Sequence, residues 1–549
     1  MRTRLLSLVT CGVLASVVSS GQIGKITQQD WVTSSADAQR TSWIRSDAFI
    51  SPESMQTPGF RMQWKVTLDN QGRQMHALRS GVVIGNLGFG SIPLSFISGS
   101  ANRVFAVDND TGAIFWQRTF EPGAGGAGTM ECPGGITSAA TRPATLMPTI
   151  PVWRGVQDRP AYSGGVGAPG EGVPAYLMGR AGRAATPAPA PTGNTAPAGA
   201  PPPANAPARG PAPPQPPPVV YALSNDGRLH TLGLYTGKDT ARPIVFLPAN
   251  AHVSDLIALN DVVYAAAMNG CGGVANGMWS VDLAGDAHTV RSWKTEDGSP
   301  IGPPAFGSDG TVYVTVGPGA STGSRGYANA VVALRAGDLT LKDWFSLPGT
   351  ELATLPVVFR TGDREILAVA ARDGSIVLLD AASLGGSTHT VMLGRSAASS
   401  DRGGLLPGGL ATWEDSTGTR WLLLPTATSV SALKVTSGNG TLTLQPGWTS
   451  RQMRTPVTPV VVNGVAFVVS SGEFVPPAGA TVSAADRARQ SVPAVLYAFD
   501  AATGRELWSS GTSMTSFLHG PLVWPGIGQI HVATYDGTVY AFGFTMERY

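Results

Sequence analysis

The chain has 549 residues, a formal net charge of +2, 69 glycines, 43 prolines and only 13% charged residues. That composition argues against long helices, and interspersed charge with no Lys/Arg stripe argues against a nucleic-acid partner. Three cysteines, with no Cys-x-x-Cys-His and no metal-ligand spacing, set aside zinc, haem and iron–sulfur centres.

The N-terminus carries Arg2 and Arg4, an apolar run over 5–18, and then Ser19, Ser20 and Gly21. This is the three-part pattern of a secretory signal peptide over 1–21, and it predicts a periplasmic or extracellular protein. The run is shorter than the ~20 residues of a spanning helix, and no other segment is long and apolar enough to cross a bilayer. Leu8-Val9-Thr10-Cys11 resembles a lipoprotein cleavage box, but Cys11 interrupts the apolar run instead of ending it. The residues therefore read as a discarded signal and not a lipid anchor. A monomer without a transmembrane segment is expected, with 22–59 as an N-terminal extension.

From residue 60 onward one pattern returns about every 40 to 60 residues, the period of propeller blades. Val104-Phe105-Ala106-Val107-Asp108, a turn through Asp110-Thr111-Gly112, and Ile114-Phe115-Trp116 form an early copy. Leu496-Tyr497-Ala498-Phe499-Asp500, Ala501-Ala502-Thr503-Gly504 and Arg505-Glu506-Leu507-Trp508 form the clearest one. Asp and Thr-Gly suit the turn because short polar side chains bond the local backbone and glycine accepts positive φ. Weaker copies lie at 219–237, 278–293, 331–344, 376–393, 429–448 and 539–543, each expected to supply the two outer strands of a blade.

Segments rich in proline and small residues precede these copies, as in Gly302-Pro303-Pro304-Ala305, Thr354-Leu355-Pro356-Val357 and His519-Gly520-Pro521-Leu522. They fit innermost strands, which have one unpaired edge. Starts near Leu78, Gly134, Ser254, Ile301, Ala353, Leu405, Thr455 and Phe517 give eight blades, with seven as the alternative. The last copy lacks a tryptophan-bearing outer strand, while 60–68 (FRMQWKVTL) is such a strand with no blade before it. Joining them closes the ring and removes an exposed edge. The expectation is an all-β fold: one propeller of four-stranded blades over 60–549, closed by the N-terminal strand.

Residues 184–218 contain almost nothing but Pro, Ala, Gly, Asn and Thr, with Arg209 the lone charge. This reads as a disordered or polyproline-like insertion within the second blade. Cys132 and Cys271, each beside glycines, form an even pair in an exported chain. They predict one disulfide, with two separate buried thiols as the alternative; closing so long a loop could contribute up to ~4 to 5 kcal/mol.

The block at 496–508 (LYAFDAATGRELW) closely resembles the repeat of the pyrroloquinoline-quinone (PQQ) propeller family. Asp30-Trp31 and Asp37-Ala38-Gln39-Arg40-Thr41 also resemble the run that precedes the first blade in quinoproteins. The resemblance implies that Trp64, Trp116, Trp293, Trp344, Trp448 and Trp508 pack between neighbouring blades. Its dehydrogenases bind PQQ at the funnel mouth with calcium or a lanthanide, an aspartate base and often a disulfide between adjacent cysteines. That cysteine pair is absent here.

Mouth residues should lie where an outer strand passes to the next inner strand, which selects Arg73, His76, Glu131, Asp255, Asp401, Arg402, Arg454 and His519. Carboxylates are few among them, and no Glu/Asn/Asp arrangement for a metal–PQQ site stands out. The family also contains a propeller lipoprotein of outer-membrane assembly that works by protein contacts. Two readings follow: a binding or scaffold module taking a protein partner or a small molecule in the funnel, and a PQQ-dependent alcohol or sugar dehydrogenase. Long insertions at 142–218 and 473–493 favour the first, since binding tends to reside on such loops. A hydrolase has no Gly-x-Ser-x-Gly elbow to support it.

Overall fold

A computed structural model describes residues 30–84, 92–121, 128–146, 218–319, 326–397, 408–438, 441–477 and 479–545. The expected signal peptide, nearly all of the Pro/Ala-rich segment, and Asp401 and Arg402 lie outside these residues. Eight sheets, mostly of four antiparallel strands, make an eight-bladed β-propeller, so the seven-bladed alternative is set aside. The one α-helix described is Ala484–Gln490.

Blade 1 comprises Val82–Ile84, Leu94–Gly99, Arg103–Asp108 and Ile114–Thr119. Its second strand is buried at all six positions and its third at five, whereas the outermost alternates between exposed and half-buried. The middle strands of a blade are covered on both faces by neighbouring blades, so they read as unbroken apolar runs. Asp108 Oδ1 accepts from the amides of Asp110 and Thr111, and Asp500 Oδ1 from those of Ala502 and Thr503. The repeated Asp thus makes the turn that the sequence promised.

Arg61–Thr67 pairs antiparallel with Thr538–Gly543 and becomes the outer strand of blade 8. The ring is closed as expected. Blade 2 departs from the expected pattern. The copy at 219–237 supplies its second and third strands, Val219–Leu223 and Arg228–Gly233, and the short Ile244–Val245 is outermost. Tyr221 bridges inward to Thr141, and Pro143–Ala144 pairs in parallel with Ile257–Leu259 of blade 3. The long insertion separates innermost from second strand in this blade, which displaced the repeat by one strand.

The extension ahead of the first blade winds around one end of the channel and touches all eight blades. Trp31 exchanges backbone bonds with Val83, Val32 O accepts from Arg142 N, and Thr33 Oγ1 donates to Leu256 O. The carbonyls of Ala38, Gln39, Thr41 and Ser42 accept from the amides of Phe306, Val358, Thr412 and Val461. Trp43–Ile44 pairs in parallel with Val460–Val462, and Gly528 N donates to Asp47 Oδ2. Innermost strands have a free hydrogen-bonding edge, and this segment satisfies part of it. Most of these contacts fall within or after the innermost strands and the other two, at Arg142 and Leu256, one residue before them, so the segment plugs the end of the channel remote from the loops that lead into them.

Candidate functional site

The Asp37-Ala38-Gln39-Arg40-Thr41 run builds the floor of the channel. Asp37 accepts from Thr41 N and Thr41 Oγ1, which turns the chain. Arg40, 1% exposed, donates from Nε to Pro304 O at 2.8 Å and from Nη1 to Ser34 O at 2.6 Å. Ser35, Ala36, Arg40 and Ser42 all adopt positive φ, strain that the surrounding bonds hold in place. Burial lowers the Arg40 pKa to about 10, against the pull of Asp255 and Asp37. Arg40 Nη2 and both polar atoms of the Gln39 side chain are buried without a protein partner, leaving donors and an acceptor free in the floor.

At the opposite end, loops from four blades in succession converge. His519 precedes the inner strand of blade 8, His76 that of blade 1, and His252 that of blade 3; between them lies the 128–135 loop of blade 2. The His76 ring stands edge-on to His252 and His519, with centroids 5.7 and 5.3 Å away. Arg79 Nη2 lies 2.6 Å from His76 Nδ1. Arginine can only donate, so this nitrogen accepts and the ring is neutral. The backbone of Met130 lies close enough to the ring to act on its charge. Burial first, then the charges of Arg79, His519 and His252, drive the His76 pKa far below the usual imidazole range.

His252 Nδ1 donates to Glu131 O at 2.6 Å, and burial followed by the Arg79 charge lowers its pKa to about 4. His519 Nδ1 lies 2.8 Å from Glu473 Oε1, which Arg487 Nη2 also approaches at 2.6 Å. Glu473 is only 5% exposed. Ser483 caps the short helix by accepting from Asp486 N, and this helix carries Arg487 onto the carboxylate. The 473–493 insertion therefore folds back onto the mouth.

The structure brings together His76, Asp255 and His519 from the sequence-selected set. Asp255 accepts from Ala139 N at 2.7 Å and acts at longer range on both Arg79 and Arg40. Glu131 contributes its carbonyl while its side chain points to solvent, and Arg73 is exposed at the rim. Arg454 reaches Glu473 O and Gln490 O and borders an open cavity of about 740 Å³ that also includes Arg451, Tyr497 and Glu506. Sequence reasoning missed Arg79, His252, Glu473 and Arg487. His252 carried a usable signal: it is one of seven histidines, and like His76 it lies two residues before an expected inner-strand start.

Calcium needs several oxygen ligands on one point. Here Asp255 is turned to a backbone amide, Glu473 is shared by Arg487 and His519, and Glu131 offers a carbonyl already bonded to His252 and to Asn269 Nδ2. Among the described residues no group of three or more His, Cys, Asp or Glu is arranged to hold a metal ion. The mouth residues described do not fit a metal–PQQ centre.

A second constellation lies in blade 2. Ser224 Oγ is 3.1 Å from His230 Nε2, and His230 Nδ1 is 2.9 Å from Asp239 Oδ1, the order of a hydrolytic triad. Ser224 is 3% exposed, and its single proton is contested by Asp226 and by Arg228 O. Phe120 covers the imidazole at 4.2 Å. A nucleophile must reach substrate, so this network braces the blade.

Fold and site together define an eight-bladed propeller plugged at one end and polar, histidine-rich at the other. The chain is similar in structure to a quinohemoprotein alcohol dehydrogenase from Comamonas testosteroni, at 13% identity and TM-score 0.53, covering 95% of this chain and 81% of that one. It is also similar to a europium-containing methanol dehydrogenase, at 11% identity and TM-score 0.55, covering 94% and 98%. A quinohemoprotein alcohol dehydrogenase from Pseudomonas putida HK5 matches at 12% identity and TM-score 0.54, covering 95% and 81%. At such identities the likeness establishes the shared propeller fold. No family model matches the sequence. No curated protein matches it either. No helix among the described residues is long and apolar enough to cross a membrane.

Proposed function

We propose that the chain is an exported, monomeric binding module whose working surface is the mouth of the channel. The observation that carries this reading is the pairing of a plugged far end with a mouth in which Arg79 is spent on neutral His76 and not on a carboxylate. A half-buried arginine without a close carboxylate favours an acidic or acceptor-rich ligand, whether a small molecule or a side chain of a partner protein. The Gln39 and Arg40 atoms left free in the floor favour the same chemistry.

The second reading, a PQQ-dependent dehydrogenase using calcium or a lanthanide, is supported by the fold shared with quinohemoprotein and methanol dehydrogenases. Calorimetric titration of the purified protein with PQQ, with and without calcium or a lanthanide, separates the two when paired with dye reduction on alcohols and sugars. The binding-module reading expects neither metal-dependent binding nor dye reduction. Tight metal-dependent binding with turnover would replace it by the dehydrogenase.

A further inference from the structure

The histidine cluster is held by a loop that is itself held by a covalent bond. Cys132 and Cys271 form a disulfide with Cα atoms 5.5 Å apart, joining the blade 2 loop to a short turn of blade 3. The two residues just before Cys132 are the ones whose backbone engages the rings: Met130 with His76 and Glu131 with His252. Glu131 O also accepts from Asn269 Nδ2 at 3.0 Å, two residues before Cys271. The loop's remaining anchors are lighter, including Gln74 Nε2 to Gly128 O at 2.7 Å and a local turn between Thr129 and Cys132. Cys271 is buried, but Cys132 is only half-buried and follows exposed Glu131, so a thiol can approach from that side.

We propose that the Cys132–Cys271 disulfide is a thiol-sensitive latch on the histidine cluster, whose reduction lets the 128–135 loop withdraw its backbone from His76 and His252. The step consumes two electrons and two protons. A dithiol attacks one sulfur, closes to its own disulfide, and leaves two cysteine thiols in the protein. The rings of His76 and His252 then become accessible from the mouth, while the blades, joined by their own ladders, stay closed.

The test is histidine modification by diethylpyrocarbonate at neutral pH, mapped by mass spectrometry. It compares the oxidised protein, the protein reduced with dithiothreitol and capped with iodoacetamide, and the Cys132→Ser/Cys271→Ser variant. His531, fully buried and in ring contact with Trp64 and Trp524, reports global opening. The latch predicts that His76 and His252 react several-fold faster in the reduced protein and in the variant, with His531 protected throughout. Equal protection of His76 and His252 in all three samples would overturn it. Exposure of His531 together with them would also overturn it, because the bridge would then be holding the whole ring.

Discussion

Trp448, on the outer strand of blade 6, lies flat against Gly504, the turn glycine of blade 7. Trp448 Nε1 donates to Ala501 O at 2.9 Å, and a Cβ at Gly504 would fall 2.6 Å from the indole ring. The same relation joins Trp64 to Gly112 and Trp116 to Gly237, so one blade's tryptophan locks onto the next blade's turn. Gly504 also has φ near +75°. Gly504→Ala should therefore cost about 2 to 4 kcal/mol, combining backbone strain with overpacking. Trp448→Phe, which loses the hydrogen bond, should cost about 1 kcal/mol. Denaturant unfolding measures both, and equal, negligible effects would mean that the interlock contributes nothing.

Ring closure by Arg61–Thr67 predicts that this strand stabilises a blade encoded at the other end of the chain. Removing residues 60–68 should lower the melting temperature and expose the edge of Thr538–Gly543, giving concentration-dependent association in size-exclusion chromatography. Trp64→Ala should cost about 2 to 3 kcal/mol, since the ring is only partly buried. An unchanged melting temperature after the deletion would show that closure is dispensable.

The plug predicts a specific pattern of hydrogen exchange. Phe306, Val358 and Thr412 donate their amides to carbonyls of the plugging segment, which Arg40 fastens to Ser34 and Pro304. Arg40→Met should speed exchange at those three amides and cost about 2 to 3 kcal/mol, while leaving the third strands of the blades protected. Uniform acceleration would point to general unfolding, and none at all would mean that the segment is held without Arg40.

The depressed histidines set a pH dependence. His252 has a folded-state pKa of about 4, while in the unfolded chain it titrates near the ordinary imidazole value of about 6.5. Between these values the unfolded state binds more protons, so its contribution is fully present above about pH 6.5 and is progressively lost as pH falls toward 4. His76 and His531 are shifted in the same direction by burial. Thermal melts from pH 7 to pH 4 should show falling stability, and His252→Asn should flatten that slope. An unaltered slope in the variant would show that His252 is not among the groups responsible.

Glu473 is the buried hinge between the 473–493 insertion and the mouth. Glu473→Ala leaves Arg487 and His519 without their shared carboxylate and should cost about 3 kcal/mol. Limited proteolysis should then cut within the insertion, where the parent protein resists. Resistance equal to the parent's would show that the helix is anchored by other contacts.

The blades were legible because their information is local. In Asp108-Asn109-Asp110-Thr111-Gly112 and Asp500-Ala501-Ala502-Thr503-Gly504 the side chains that make each turn lie within four residues of one another, and the flanking apolar runs mark strands covered on both faces. Blade number, ring closure and the Cys132–Cys271 bridge could accordingly be read in one dimension. Blade 2 was misread by one strand because a long insertion separated its innermost strand from the repeat.

The site was legible only in part, because what builds it is long-range. His76, His252 and His519 come from blades 1, 3 and 8, and they meet only once the ring has closed and each inner strand has delivered its preceding loop to the same end. The Asp37 to Thr41 run was recognisable as a motif, yet its role as a plug depends on carbonyls matched to free edges spread around the ring. Sequence alone determined the repeat and its period, since turns and strands are set by neighbours along the chain. Tertiary structure alone decided that Arg79 faces a neutral imidazole and that a disulfide holds the loop over it, since charge balance, burial and donor–acceptor roles belong to neighbours in space.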